Sequence, residues 1–467
     1  MRRLVLLLCL LASACEGSDG LIGPTIELID PDGDNAARDV AEGSLSVAVR
    51  QESRVICDGD GDCVAPITNG DFSLVLPIGS LQAPTELQLR ITGGEQALFG
   101  ATPAFLPFGE GIDLLAVRPV MLPAMTCRVI DPPALTTSGA LALSRPRRDV
   151  AAIPRANLVL LAGGVEESGP SARVDRFDQV VTEMLSSLAP TEATIGPARG
   201  VTLRDDGSQL VSFVVGDGSS WRFVSQMGPP AAERVTTLHA GAGFASTLVR
   251  LDRGAAVVGG ADGDGAAVDQ VSWVDELGAL TAIARTTVPR AFSAAAFVGG
   301  EVVVVGGGTA ERLERGGAGA AIALEGLPDG VGGALTASPD GAHLLYVGFD
   351  VDGAPSAETH ILRGCPDACT REDGPAWPSP RPGAAFLRTE AGVLWIVGGE
   401  GSDEVDRVVW DGSTPRFEAG PTLAEARTGA AVFEQASGIV TVVGGEGPEG
   451  LSRSVEQCMP AGLDAFD

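Results

Sequence analysis

Apolar residues along this chain come in short, solid runs that stop at glycine. The cleanest is Val302-Val303-Val304-Val305, closed by Gly306-Gly307. The same figure returns at 158–164, 255–260, 394–399 and 439–445, and with one glycine kept at 211–216 and 344–348. Aliphatic runs this short, bounded by turn residues, read as strands sealed on both faces rather than as helices. The first glycines stand at 163, 216, 259, 306, 348, 398 and 444, which spaces the copies by 42 to 53 residues.

That period is the one expected of β-propeller repeats, each a small antiparallel sheet that buries its faces only against its neighbours. The repeat extends beyond the glycines. Arg148 precedes Ala151-Ala152, Arg290 precedes 294–296, Arg381 precedes Ala384-Ala385, and Arg427 precedes Ala430-Ala431. Downstream stand Phe177, Trp273 and Trp410, each with a further apolar residue seven positions on: Met184, Leu280 and Phe417. Arg with small residues, a strand, Gly-Gly, an aromatic and a second large residue, in that order, resembles the kelch repeat. The resemblance covers roughly 125–460, although aliphatics mostly replace the second aromatic and the copies at Gly216 and Gly348 are reduced. It implies about seven four-stranded blades over residues 121–467. The aliphatic runs are expected to be the strands nearest the axis, with Phe177, Trp273 and Trp410 as packing between blades.

The last repeat, from Arg427 to Cys458, holds three strands and leaves little chain for a fourth. A strand at 125–130 is expected to complete that blade, placing Cys127 beside Cys458, where a disulfide would lock the ring.

Ahead of the repeats, shorter alternating runs at 25–29, 45–49, 72–76, 86–91 and 113–117 are separated by Gly, Pro, Asp and Asn. They predict a small antiparallel β-sandwich over 25–120, similar in pattern to immunoglobulin-like or transthyretin-like modules. The fold class is therefore all-β, with a small sandwich followed by a propeller. At the amino end Arg2-Arg3, an apolar stretch at 4–11 and small residues have the form of a secretory signal over 1–14. Leu11-Ala12-Ser13-Ala14-Cys15 resembles a bacterial lipobox, which implies lipidation of Cys15, a tether over 15–24 and anchoring at the outer membrane of a Gram-negative-type envelope. Ordinary cleavage that leaves Cys15 unmodified is the other reading.

Composition narrows the partners. All 32 basic residues are Arg, against 61 acidic ones, for a formal charge of −29. Such a chain is a poor match for nucleic acid, whose binding depends on cationic neutralisation of phosphate. Export makes the cysteines informative: once Cys9 and Cys15 are set aside, six remain, and disulfides persist in an oxidising compartment. Cys57–Cys63 and Cys365–Cys369 bracket tight loops, leaving Cys127–Cys458 as the long-range pair. Zinc is the rival reading of these cysteines, but no His stands at ligand spacing. Two acidic loops are candidates for Ca²⁺. One is Asp58, Asp60 and Asp62 inside the first cysteine ring. The weaker one is Asp30, Asp32 and Asp34, which lacks the turn glycine and bidentate Glu of an EF-hand.

Kelch propellers include enzymes resembling galactose oxidase, with Tyr and His copper ligands and a Cys–Tyr cofactor. Here Tyr346 is the one tyrosine, and His239, His343 and His360 show no ligand spacing. No catalytic residues or cofactor are assigned, and 263–265 and 316–319 read as blade connections. Two functions remain: a non-catalytic, lipid-anchored binding or scaffolding protein whose propeller loops meet a protein or glycan, and a carbohydrate-active envelope enzyme. A cluster of inward-facing carboxylates at the funnel mouth, with His or Arg beside them, would favour the second, and a bare or Arg/Asp-decorated surface with no deep pocket the first.

Overall fold

The computed structural model describes residues 26–463. Outside the description within that span are 33, 52–53, 73, 75–83, 104–116 and 131–140. Further on they are 156, 181, 189–193, 206–209, 217–218, 226–230, 236–237, 315–319, 323–331, 351–353, 366–368 and 436–437. The signal at 1–14, Cys15, the tether at 15–24 and the connection at 316–319 all lie outside the described residues, as do parts of the strands expected at 25–29, 72–76 and 113–117.

Seven four-stranded antiparallel sheets follow one another along the chain as the blades of a β-propeller. The first blade shows the plan: Ala151–Arg155, Leu158–Ala162, Val174–Asp178 and Glu183–Leu188, each strand paired with the next. The first strands of adjacent blades touch one another all round the ring and line the channel along its axis. This corrects the expectation that the glycine-terminated runs are innermost. Those runs are the second strands, one place out. Near the axis the circumference is shortest, so the innermost strands carry small residues such as Ala151, Ala294 and Ala431. One step outward there is room for Val, Leu and Ile on both faces, and Val302 to Val305 are all buried.

Each pair of neighbouring blades shares its own apolar cluster. Ile153, Leu160 and Ala151 meet Val214 and Phe223 between the first and second blades. Trp273 packs with Val302, Val304 and Leu313 between the third and fourth. Trp410, partly buried, joins the cluster between the fifth and sixth, and Phe177 meets Phe433 between the first and seventh. The core is thus a ring of interfaces, each about as strong as the apolar area it removes from water.

The seventh blade closes the ring with chain from both ends. Ala431–Glu434, Val440–Val443 and Val455–Cys458 take Cys127–Val129 as their fourth strand. The register sets Cys458 opposite Cys127, and the two are disulfide-bonded with Cα atoms 4.0 Å apart across a sequence separation of 331. Cys57–Cys63 and Cys365–Cys369 are bonded locally, separated by 6 and 4 positions.

Before the propeller, the described residues draw one six-stranded sheet rather than the two packed sheets of a sandwich. Its spine is Glu42–Gln51, which pairs with Thr85–Thr92 on one side. On the other side Arg54–Asp58 and Val64–Thr68 share its length. Leu98–Ala101 and Leu122–Pro123 extend the sheet, so it runs slightly past the boundary expected at 120. The sheet is fastened to the underside of the first and seventh blades. Arg118 N–H donates to Val180 O and Met125 N–H to Pro460 O, and Val120 and Leu122 enter the cluster shared by those blades. No helix among the described residues is long and apolar enough to cross a membrane.

Candidate functional site

The glycine pairs are the corners on which the ring is pinned. In the first blade Arg147, fully buried, donates from Nη1 to Gly163 O at 2.9 Å and from Nη2 to Asp175 Oδ2 at 2.5 Å. The fourth blade repeats this with Arg290, which reaches Gly306 O and pairs with Glu311 at 2.6 Å. In the sixth, Arg381 bonds Gly398 O at 2.7 Å and Asp406 at 2.8 Å. In the seventh, Arg427 bonds Gly444 O and Glu456, both at 3.1 Å. The repeat arginine of the first blade is therefore Arg147, not the neighbouring Arg148 picked from the sequence. Arg148 is half exposed and faces the channel mouth.

The four carboxylates hold one register position, directly opposite the residue two before the first glycine: Asp175 opposite Leu161, Glu311 opposite Val304, Asp406 opposite Ile396, Glu456 opposite Val442. In the third blade Ser272 stands there, opposite Val257, and His239 replaces the arginine. His239 Nε2–H donates to Gly259 O at 2.8 Å, since a carbonyl can only accept, leaving Nδ1 to take the Ser272 hydroxyl at 2.8 Å. In the fifth blade the position belongs to His360, opposite Tyr346, and in the second to Trp221, opposite Val214. Burial lowers the pKa of both histidines, so both are held neutral.

In the third, sixth and seventh blades the second glycine ties the blade to the next. Gly260 N–H donates to Arg290 O, Gly399 N–H to Arg427 O, and Gly445 N–H to Arg147 O across the ring closure, at 2.8, 2.9 and 2.8 Å. A Cβ at Gly444 would come within 2.6 Å of Arg147 O, and φ there is 65°. Only glycine fits such a corner.

These joints surround one central cavity of about 740 Å³, lined by the first strands of the blades and the turns leading into them. Two residues ahead of the first strand, four of the blades turn inward through left-handed backbone. Glycine supplies this at Gly383 and Gly429, with φ of 67° and 62°. Asp149 and Phe292 adopt it without being glycine, at φ 55° and 52°. A side chain in that region carries a cost that a glycine would not, and both of these face the channel mouth. Phe292 meets Phe244 edge to face, with ring centroids 6.0 Å apart. The Arg199 guanidinium lies over the Phe244 ring, 5.0 Å from its centroid, and its Nε–H donates to Phe244 O at 3.2 Å.

Arg148 Nε lies 3.7 Å from Asp149 and its Nη1 3.2 Å from Glu446. Burial raises the pKa of Asp149, against the pull of Arg148 and Arg199. Arg199 is exposed to the channel, yet the walls around it desolvate the guanidinium and lower its pKa, opposed by Asp149. Arg388 lines the channel nearer its other end. The mouth thus combines guanidinium, carboxylate and aromatic rings. Arg199, Phe244, Phe292 and Asp149 were all missed in the sequence, since the residue type changes from blade to blade; Asp149 and Phe292 stand where the sixth and seventh blades have Gly383 and Gly429.

The other expected sites resolve differently. Asp58, Asp60 and Asp62 are exposed, and a hydrogen bond to Asp58 together with that neighbour's charge raises the Asp60 pKa. Asp30 Oδ1 accepts from the backbone of Asp32 and Asp34, at 3.0 and 2.9 Å, and Asp30 Oδ2 pairs with Arg38 at 3.1 Å. An arginine, then, already fills the cationic role in that loop. Among the described residues no three His, Cys, Asp or Glu side chains converge as metal ligands.

No family model matches the sequence, and no curated protein matches it. Among solved structures, a fungal alcohol oxidase of the AA5 family, determined in complex with copper, is similar in fold. The TM-score is 0.52 with 14% identity, over 68% of this chain and 75% of that one. The likeness is one of architecture.

The residues here do not fit a copper centre of that kind. Tyr346 is buried, its hydroxyl donating to Gly332 O at 3.0 Å, and burial pushes its pKa up to about 12. Cys365 and Cys369 are bonded to each other. His239 is engaged with Gly259 and Ser272, and His360 accepts from Arg371 at 3.1 Å, each in its own blade.

Proposed function

We propose that this protein is a non-catalytic binding or scaffolding propeller of the bacterial cell envelope, anchored through lipid on Cys15 and offering its channel mouth to a ligand. The observation that supports it most is the make-up of the channel. Among the described lining residues Asp149 is the one carboxylate, set between arginines and phenylalanines. Hydrolysis or epimerisation of a sugar generally calls for a second acid or base within reach of the first, whereas one carboxylate with guanidinium and aromatic groups suits recognition. Anchoring and outer-membrane location rest on the lipobox-like sequence. A protein or glycan remains the partner class for the rim loops.

The competing reading, a carbohydrate-active enzyme, draws on Asp149 itself: a strained carboxyl with a raised pKa at the mouth of a deep cavity. Two measurements decide. Mass spectrometry of the mature amino terminus should find a diacylglyceryl cysteine at Cys15, lost in Cys15→Ser; an unmodified Cys15 removes the anchor from the proposal. Incubation with polysaccharides and sugar acids should leave them unchanged, and turnover abolished by Asp149→Asn would replace the binding function with catalysis.

A further inference from the structure

The charge in the central channel runs against that of the whole molecule. The chain carries −29 overall, yet among the described residues three guanidiniums, Arg148, Arg199 and Arg388, line the cavity against the single carboxylate of Asp149. Arg148 is engaged by Asp149 and Glu446. Arg199 feels Asp149 only through its field and is braced by the Phe244 ring and carbonyl. Arg388 is exposed to the channel, and partial desolvation there lowers its pKa. A low-dielectric channel focuses such uncompensated charge, and an acidic exterior makes the contrast steeper.

The two arginines also lie at different depths. Arg199 begins the first strand of the second blade, beside the mouth, while Arg388 ends the first strand of the sixth, Ala385–Arg388. Strands rise ~3.3 Å per residue, so the heights differ by on the order of 10 Å. Between them the wall is Ala, Gly, Leu and Phe.

From this arrangement we infer that the channel binds an elongated, sugar-sized organic anion, with one oxyanion group at Arg199 and a second at Arg388. The inference rests on the binding function proposed above and names its ligand class. A planar guanidinium fork pairs with two oxygens of a carboxylate or a phosphate. Phe244 and Phe292 provide an apolar face for the body of the ligand, next to the group that holds its charge. Asp149, kept close by its left-handed turn, is placed to accept a hydroxyl hydrogen bond from that body.

The test is calorimetric titration of the intact protein with four probes: galacturonate, digalacturonate, galactose 1-phosphate and neutral galactose. The uronate and phosphate arms separate the two sources of the oxyanion. Digalacturonate should bind more tightly than galacturonate, and affinity should fall with added salt. Arg199→Gln should weaken each anion that binds by roughly ten- to a hundredfold. Arg388→Gln should do so for digalacturonate while sparing galacturonate. Circular dichroism and the thermal midpoint of each variant check that the ring is intact.

Binding of galactose as tight as that of the anions would overturn the inference and leave a binding propeller standing. So would anion binding that is indifferent to both substitutions, or no binding of any anion at millimolar concentration. Binding followed by turnover of a uronate would instead overturn the non-catalytic function and leave the anion site in place.

Discussion

Four blades of this ring pin their glycine corner with a buried arginine–carboxylate pair, and the second, third and fifth do without one. The joint is the same place in space each time. In the seventh blade Arg427 and Glu456 fill it with two charges, both buried. In the third His239 and Ser272 fill it with two neutral groups that still satisfy Gly259 O. What the corner demands, then, is a donor for the first glycine's carbonyl, because a buried carbonyl left bare is costly. Charge is one way to deliver that donor, at the expense of desolvating two ions.

The sharpest way to break the comparison is to remove half of an ion pair. Arg427→Met leaves Glu456 buried and alone, and guanidinium unfolding should show a loss of about 3–5 kcal/mol. Adding Glu456→Met should recover the cost of the bare charge but leave about 1–3 kcal/mol for the Gly444 carbonyl that has lost its donor; full recovery would show that the carbonyl needs no donor, and the argument fails. Next in size is the closure of the seventh blade. Cys127→Ser with Cys458→Ser should cost roughly 2–4 kcal/mol, measured against the oxidised protein under the same conditions. Equal stability would mean that strand pairing alone holds the ends.

The neutral joint should respond less to deletion and more to acid. His239→Leu should cost about 1–3 kcal/mol, the penalty of an unsatisfied buried carbonyl. Both histidines have folded pKa values depressed below the ordinary 6.5. As pH falls through 6.5 the unfolded chain takes up protons that the folded ring refuses. Stability is therefore intact above 6.5 and declines on acidification toward the lower folded values. Denaturant midpoints across that range should fall in the native protein and flatten in a His239→Gln, His360→Gln variant; parallel profiles would assign the acid response elsewhere. The smallest effect belongs to the mouth. Asp149→Gly relieves a left-handed aspartate and should raise stability by up to about 1 kcal/mol, visible as a higher thermal midpoint. A fall would show that contacts of the carboxylate outweigh the strain.

The comparison also explains what could be read from the chain beforehand. Seven glycine-stopped runs announced seven blades, because each second strand is covered on both faces and so carries an uninterrupted aliphatic signal. The arginines were visible for a related reason: they lie a nearly constant distance ahead of the first strand. Their carboxylates were not. The loop after Gly-Gly varies, so Asp175 comes 28 residues after its arginine and Glu311 only 21. Register aligns them where sequence spacing cannot.

The innermost strand was misassigned because hydrophobicity marks burial, not nearness to an axis where only small side chains fit. The channel mouth was illegible for a third reason. Asp149, Phe244 and Phe292 come from turns of three blades and Arg199 from the start of a strand in a fourth, and their residue types are not repeated from blade to blade. The sandwich expected before the propeller came from strand spacing alone, which does not say whether strands share one sheet or divide between two.

The seventh blade carries one more consequence, for the order in which the molecule is assembled. Cys127–Val129 is synthesised before any other part of the propeller, yet its partner, Val455–Cys458, comes after every other propeller strand. Until then the edge of Cys127–Val129 has nothing to pair with, and a growing chain can stack blades only as an open arc. An arc exposes an apolar face at each end, where the completed ring has none, and such faces invite aggregation. Completion must therefore be a late, all-or-none event. A chain stalled shortly before Val455 is left with both arc ends bare, however many of its blades have formed.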